Sequence, residues 1–173
     1  MEETLRPNGN GDSSQCYGSD SNQVNNFQLV DESVANDADY VYSYSAVGTY
    51  LDLYNIPSTA IPAGSTINKI TFYARFMATS GYDYCKFAYK SDGTIYYSAE
   101  PNVTASYALY SWQQTTNQKT SAPWTIDDIN ALQIGQVLYL TQSGKDFWYG
   151  YCSQIYIVID YTVAEKRAQV IIF

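Results

Sequence analysis

Two adjacent aspartates, Asp127 and Asp128, are the residues whose types and spacing most directly suggest catalysis. They lie in the stretch APWTIDDINALQIG, residues 122–135, and no other two aspartates in the chain are adjacent. A glycosidase uses two carboxyl groups, of which one donates a proton and the other acts as base or nucleophile. The first question is therefore whether these two side chains can converge on a substrate.

The residues around the aspartate pair indicate a short helix instead. Thr125 precedes Asp128 by three positions, which is close to the capping-box pattern at the start of a helix. Both aspartates then fall in the first turn, where the helix dipole favours negative charge. Neighbouring helical side chains point about 100° apart, so the two carboxylates do not converge. The sequence predicts a helix at about residues 125–134, with an apolar stripe and a terminating glycine: Ile126, Ile129, Leu132, Ile134 and Gly135.

The composition also argues against an enzyme. The chain contains no histidine, so the commonest general base and the partner of most serine and cysteine nucleophiles are missing. Carboxylates from different strands could still pair, but 17 acidic residues make chance pairs frequent and give no specific signal. We therefore expect no enzymatic activity, no catalytic residue, no cofactor and no metal centre.

Metal-binding patterns are weak. Cys16, Cys85 and Cys152 are far apart and form no CxxC pair, which argues against zinc. One disulfide and three free buried thiols both remain open. Calcium binding is also an open alternative, because calcium takes oxygen ligands and several loops are acidic. No EF-hand spacing is present. The acidic loop residues are Asp12, Asp20, Asp31, Glu32, Asp37 and Asp39.

Aromatic residues are the alternative source of a binding site. The chain has 19 tyrosines, a residue type favoured in strands and enriched at interfaces. Trp112, Trp124 and Trp148 could stack on sugar rings, or they could fill core and interface positions. We take Trp112 and Trp148 as the candidate glycan-stacking residues.

The charge balance narrows the classes of partner. The formal net charge is −8 and the pI is about 4.2, which disfavours nucleic acid and anionic membrane surfaces. No apolar run reaches the roughly 18 residues of a membrane span, so no membrane insertion is expected. The opening residues MEETLRPNGNGDSS lack the apolar region of a secretory signal, which favours assembly in the cytoplasm.

The pattern of apolar residues predicts an all-β fold. From Ile70 to Ala78, apolar and other side chains alternate with a period of two, as in a half-buried antiparallel strand. Nine or ten such strands are expected in all, with NFQLVDE as the first secure one, and a hairpin is expected around Asp92-Gly93. We predict an antiparallel two-sheet β-sandwich or jelly roll with one short helix. It forms a single domain at residues 1–163, with a loop-like segment at 7–26.

The C-terminal tail, residues 164–173, ends on Val170, Ile171, Ile172 and Phe173. These apolar residues need a partner, because a bare apolar edge promotes aggregation. The tail either docks as a last strand on its own domain or is donated as a strand to a neighbouring subunit. These four residues are the candidate interface.

Several stretches resemble a known family. They are ETLRPNGNGDSSQ, NFQLVDE and DADYVYS near the start, LYNIPSTAIPAGSTINKITFYAR in the middle, and SAPWTIDDINALQIG and CSQIYIVIDYT near the end. Over about residues 3–163 the chain is similar to β-sandwich modules encoded among the virion genes of tailed phages and in related metagenomic sequences. The middle stretch resembles DNRLRE-type surface sandwiches. The resemblance implies a structural or adhesive jelly-roll module of a virus particle or cell surface, without enzymatic activity.

These observations lead to one expected function and two alternatives. The expected function is that of a virion structural protein, a capsid decoration (cement) protein or tail-appendage module. It would act as a homo-oligomer or with other virion subunits through multivalent contacts. One alternative is an extracellular filament subunit assembled by strand donation, and the other is a carbohydrate-binding or adhesion module with a glycan as partner. The expected location is the virion or an extracellular surface.

Overall fold

The chain folds into two large antiparallel β-sheets that are joined by one hairpin, and a separate two-stranded ribbon pairs residues 116–117 with 122–123. The computed structural model describes residues 1–79, 85–143 and 145–164. In chain order the elements are β1 (Glu2–Leu5), β2 (Gly9–Ser14), β3 (Tyr17–Gly18), a 3-10 turn (Asn26–Leu29), β4 (Val41–Tyr42), β5 (Gly48–Asn55), β6 (Thr66–Ala78), β7 (Cys85–Ser91), β8 (Thr94–Tyr97), β9 (Ala108–Gln114), β10 (Thr116–Asn117), β11 (Ala122–Pro123), α1 (Ile126–Asn130), β12 (Gln133–Ser143) and β13 (Asp146–Thr162).

The long strand β13 organises the first sheet. It pairs with β6 along one side and with β1 and β4 along the other, while β9 extends the sheet beyond β6 and β3 beyond β4. The second sheet has the order β2-β5-β12-β7-β8. Pairing of β12 with the first residues of β13 joins the two sheets. The predicted all-β sandwich class is therefore confirmed.

The core lies between the sheets and follows the alternation of the strands. On β6 every second side chain is buried, as the period-two pattern predicts. Those residues meet the inward side chains of β13 and of the second sheet in one cluster that excludes solvent. Large, fully buried contributors include Tyr54, Phe72, Phe76, Phe87, Tyr89, Ile134, Leu138 and Ile155.

An irregularity in β13 changes which side chains face the core. The pairing with β6 shifts between Cys152 and Gln154, as at a β-bulge. Beyond this point odd-numbered residues such as Ile155 are buried, whereas before it the buried residues are Gly150 and Cys152. The bulge therefore turns Tyr149 and Tyr151 to the outer face of the sheet.

The helix is shorter than the sequence predicts. It ends at Asn130, and Ile134 and Gly135, which were expected to lie at the end of the helix, belong to β12. Gly135 pairs with Leu53 of β5, and a Cβ atom there would lie 1.9 Å from the carbonyl oxygen of Asp52. Glycine is thus needed for close approach of two strands, and the prediction that it terminates the helix is wrong.

The N-terminal segment is also more ordered than predicted. Residues 7–26, expected to be loop-like, contain β2 and β3, and NFQLVDE forms the 3-10 turn where a strand was expected. The hairpin at Asp92-Gly93 is present, with the positive φ angles of 45° and 77° that such a tight turn requires. No helix in the described ranges reaches the length of a membrane span. The tail residues Val170, Ile171, Ile172 and Phe173 lie outside the described residues.

Candidate binding surface

The aspartate pair builds a helix end. The Thr125 hydroxyl accepts a hydrogen bond from the Asp128 backbone N–H at 3.1 Å, and the Asp128 carboxylate accepts one from the Thr125 backbone N–H at 2.9 Å. This reciprocal pair is the predicted capping box, with aspartate where glutamate is usual. Asp127 lies exposed in the same turn. Asp128 thus caps the helix, and Asp127 does not converge with it on a shared site.

The acidic loop residues do not converge either. In the part of the chain that is described, no three acidic or cysteine side chains are grouped as metal ligands would be. Asp37 instead binds Arg75 through both carboxylate oxygens at 2.7 Å, and Asp12 is bound to Lys90. The three cysteines are buried and form no disulfide with one another, and burial raises the pKa of Cys16 and Cys152 well above the usual range. Because the thiolate is the reactive form of cysteine, these two buried thiols are weak nucleophiles.

The two candidate tryptophans lie apart from each other and face inward. The Trp112 ring on β9 packs at 5.2 Å from the Phe72 ring and 5.5 Å from the Tyr89 ring, measured between centroids. Trp148 is half-buried, and its indole N–H is buried without a hydrogen-bond partner. Trp112 is partly accessible, because it lines a surface cavity of about 230 Å³ beside Phe87 and Glu100, but the structure does not bring it together with Trp148. Their role in binding glycans stays an untested prediction.

The main aromatic surface is built from tyrosines instead. Six of them contact one another on the outer face of β13 and β4 and beside β3. We call this surface the tyrosine platform. Its members are Tyr17, Tyr40, Tyr42, Tyr44, Tyr149 and Tyr151.

Strand pairing and alternation create the tyrosine platform. Tyr42 is directly opposite Tyr17 on one side and Tyr151 on the other, so three tyrosines form a row across three strands. Tyr40 and Tyr44 lie two positions from Tyr42 and therefore share its face. The intervening Val41 and Ser43 are fully buried. This is the expected pattern for a strand with one face in the core and the other in solvent.

Buried Ser43 holds this strand in place. Its hydroxyl donates to the Tyr139 carbonyl at 2.8 Å and accepts from the Gly150 backbone N–H at 3.1 Å. Its own N–H donates to the Gly150 carbonyl at 3.1 Å. The residue thus connects β4 to both strands of the hairpin that joins the sheets. The platform rests on backbone that is held by the core, which reduces the entropy lost when a ligand binds.

The rings pack against one another at angles. Tyr42 and Tyr151 are stacked, with planes 12° apart and centroids separated by 5.7 Å. Tyr17 and Tyr44 are closest, at 4.8 Å and 54°. Most other contacts are edge-to-face, a favourable arrangement for aromatic pairs. The surface therefore presents ring edges and phenolic hydroxyls together, with Tyr44 the most open at 43% exposure.

The hydroxyls of the platform are available to a ligand. Among the described residues, those of Tyr17, Tyr40, Tyr42, Tyr44 and Tyr149 neither make a hydrogen bond within the chain nor are buried. By contrast, the Tyr50 hydroxyl donates to the Ala46 carbonyl at 2.6 Å. Burial, with neighbouring tyrosines, raises the pKa of Tyr42, so its hydroxyl stays protonated and neutral. The platform offers uncharged donors and acceptors.

A shallow cavity extends the platform at one end. It has a volume of about 190 Å³ and is lined by Tyr44, Ser45, Leu140, Phe147 and Tyr149. Phe147 is 45% exposed and shares the outer face with Tyr149 two positions later. The cavity adds a recess of mixed polar and apolar character beside the most exposed tyrosine.

Sequence reasoning missed this surface. The alternation in DYVYSYS did indicate that Tyr40, Tyr42 and Tyr44 share a face. It could not show that Tyr17 and Tyr151 lie on either side, because that depends on pairings between distant strands. The one local signal available was tyrosine repeated at every second position.

Comparison with models of protein families finds no match, and comparison with curated proteins finds none. Among solved structures the chain is similar to the crystal structure of the CBM36-1 domain of a multidomain xylanase from the hindgut metagenome of Trinervitermes trinervoides. The TM-score is 0.37 at 12% sequence identity, over 95% of this chain and 100% of that chain.

Proposed function

We propose that this protein is a non-catalytic carbohydrate-binding module whose tyrosine platform binds a glycan. The observation that carries the proposal is a cluster of six contacting tyrosines on one outer face, five of whose hydroxyls are open to solvent. Sugars present both hydroxyl groups and apolar C–H faces, and tyrosine matches both because its ring is apolar and its tip is polar. The module would serve adhesion rather than catalysis.

A glycan also suits the angles between the rings. The open phenolic hydroxyls can form hydrogen bonds with a sugar, while its apolar C–H groups contact the exposed carbon atoms of the rings. A hydrogen bond of this kind adds about 0.5–1.5 kcal/mol, so several are needed for useful affinity. The side chains are already positioned by their mutual packing, which lowers the entropic cost of binding.

A glycan array followed by titration calorimetry tests the proposal. Tyr44→Ala should weaken binding at least about tenfold, which corresponds to about 1.4 kcal/mol. Tyr97→Ala is the matched control, because Tyr97 is 49% exposed but lies on β8 in the other sheet. It should bind as the wild type does. Absence of any glycan binding, or equal losses in both variants, would overturn the proposal.

A second candidate is a subunit of a virion or filament, and the open sheet edges favour it. Within the described residues β9 pairs only with β6, and β8 only with β7. Exposed Leu109 on β9 and Tyr97 on β8 lie on these edges, where a strand of another subunit could add. Light scattering tests this role. An assembly that is dissolved by Leu109→Lys would support it, whereas a monomer at all concentrations would argue against it.

A further inference from the structure

We propose that the glycan bound by the tyrosine platform is an uncharged chain of several sugar units, and that acidic polysaccharides are rejected. This inference rests on the proposed function and adds the class of ligand. It follows from the charged residues around the platform and from the platform's extent.

The platform itself carries no charge. Its polar groups are phenolic hydroxyls, which can both donate and accept hydrogen bonds. Recognition of a sugar carboxylate or sulfate normally uses arginine or lysine. No platform residue supplies such a group, so an acidic sugar would lose its hydration without gaining a cationic partner.

The guanidinium of Arg75 is already occupied. Its carbon atom lies 5.9 Å from the ring centroid of Tyr107, whose pKa is raised mainly by burial, with smaller contributions from neighbours that include Tyr40 and Tyr151. Both oxygens of Asp37 bind this guanidinium at 2.7 Å, and Asp37 also accepts a hydrogen bond from Ser153. Asp37 therefore already takes the two N–H groups with which Arg75 could bind a carboxylate of the ligand.

Among the described residues that flank the platform in the sequence, carboxylates outnumber cations. Asp39 immediately precedes Tyr40 and accepts a hydrogen bond from the side chain of Asn36. Asp20 follows Ser19, whose hydroxyl accepts from the Tyr40 N–H, and binds the side chain of Asn22. At the Phe147 end the hairpin supplies one residue of each sign, Lys145 and Asp146. Within the described ranges neither Asp20 nor Asp39 forms an ion pair, so this part of the rim disfavours anionic polymers at low salt.

The extent of the platform favours a chain over a single sugar. Along the segment that contains β4, the ring centroid of Tyr42 lies 5.8 Å from that of Tyr40 and 5.6 Å from that of Tyr44. Across the strands, Tyr42 lies 6.5 Å from Tyr17 and 5.7 Å from Tyr151. In each direction three rings follow one another. A ligand that covers only one ring would leave most of the open hydroxyls unused.

Affinity electrophoresis tests this inference. Wild-type protein would run through gels containing a neutral polysaccharide (glucan, xylan or mannan) or an acidic one (polygalacturonate or alginate), at low and moderate salt. We expect retardation by at least one neutral polymer, independent of salt, and none by the acidic polymers. In calorimetry, a hexasaccharide of the neutral polymer should bind at least tenfold more tightly than its disaccharide.

Charge variants distinguish the preference for neutral polymers from glycan binding itself. Asp20→Asn combined with Asp39→Asn should leave neutral binding within twofold and increase any retardation by polygalacturonate at low salt. Retardation of the wild type by acidic polymers, lost with Tyr44→Ala, would overturn the charge inference while the proposed function stands. Equal affinities for disaccharide and hexasaccharide would overturn the chain inference alone. Absence of all glycan binding would overturn the proposed function itself.

Discussion

The side-chain amide of Asn26 donates a hydrogen bond to the carboxylate of Asp52 at 2.7 Å, and both residues are fully buried. Asp52 lies on the central part of β5, and Asn26 begins the 3-10 turn. The same carboxylate also accepts from the backbone N–H groups of Gln15 and Cys16, at 2.6 Å and 2.8 Å. The Tyr54 hydroxyl is a further partner at 3.1 Å. One carboxylate thus attaches the N-terminal segment to the second sheet.

Removing this carboxylate should strongly destabilise the protein. Asp52→Ala leaves several buried donors without an acceptor, and each lost partner is costly in the interior. We expect the free energy of unfolding to fall by about 3 kcal/mol or more, measured by urea denaturation. Asp127→Ala, at an exposed carboxylate, is the control and should change it little. Equal effects of the two substitutions would show that the buried network contributes nothing.

Stability should depend on pH through Glu32. Burial raises its pKa from 4.5 to about 6, with further contributions from Asp31 and Asp39. The folded state therefore holds a proton that the unfolded state releases, so the contribution of Glu32 to stability is fully present below about pH 4.5 and is lost as the pH rises through about 6. Because the side chain is partly exposed, we expect a decline of about 1 kcal/mol.

Thermal denaturation between pH 4 and pH 7 measures this decline. In Glu32→Gln the part due to this residue should disappear, because glutamine does not titrate in that range. Glu2→Gln, on strand β1, serves as the control and should retain the wild-type profile. The assignment fails if Glu32→Gln shows an unchanged pH profile.

Trp112 should matter for stability and not for glycan binding. Its ring contacts Phe72 and Tyr89 in the core, so Trp112→Ala would create a cavity and cost about 3 kcal/mol. The milder Trp112→Phe should cost less and keep the protein folded for calorimetry. We expect it to bind glycan within twofold of the wild type. A loss of binding comparable to that of Tyr44→Ala would show that Trp112 contributes to the binding site.

The capping box predicts a modest local effect. In Thr125→Ala the Asp128 N–H loses its acceptor and the helix loses its cap, which should cost about 1 kcal/mol of stability in denaturant unfolding. Thr125→Ser keeps the hydroxyl and should be nearly neutral. Neither substitution should affect glycan binding. A larger effect on binding than on stability would mean that this stretch has a functional role after all.

Local sequence patterns predicted the elements that depend on residues close together in the chain. The alternation from Ile70 to Ala78 identified β6, because a strand between core and solvent needs one apolar side chain in every two. Asp92-Gly93 identified a hairpin, because few residues tolerate positive φ. Thr125 and Asp128 identified a helix start, because a cap is a contact between near neighbours.

Predictions from the sequence were wrong where the role of a residue depends on a contact with a residue far away in the chain. Gly135 looks like the end of a helix, yet its small size is required by Asp52 on a strand about 80 residues earlier. Asn26 looks like part of a polar loop, but it is buried because Asp52 accepts its hydrogen bond. Neither requirement is visible in the neighbouring residues.

The sequence by itself determined that this protein is an all-β domain without histidine, acidic overall and rich in tyrosine. Only the tertiary structure decided which tyrosines form a surface. Tyr17, Tyr42 and Tyr151 meet because β3, β4 and β13 pair in one register, and because a bulge turns Tyr151 outward. Register and bulge depend on contacts between strands far apart in the chain, and the energy of the whole core selects them.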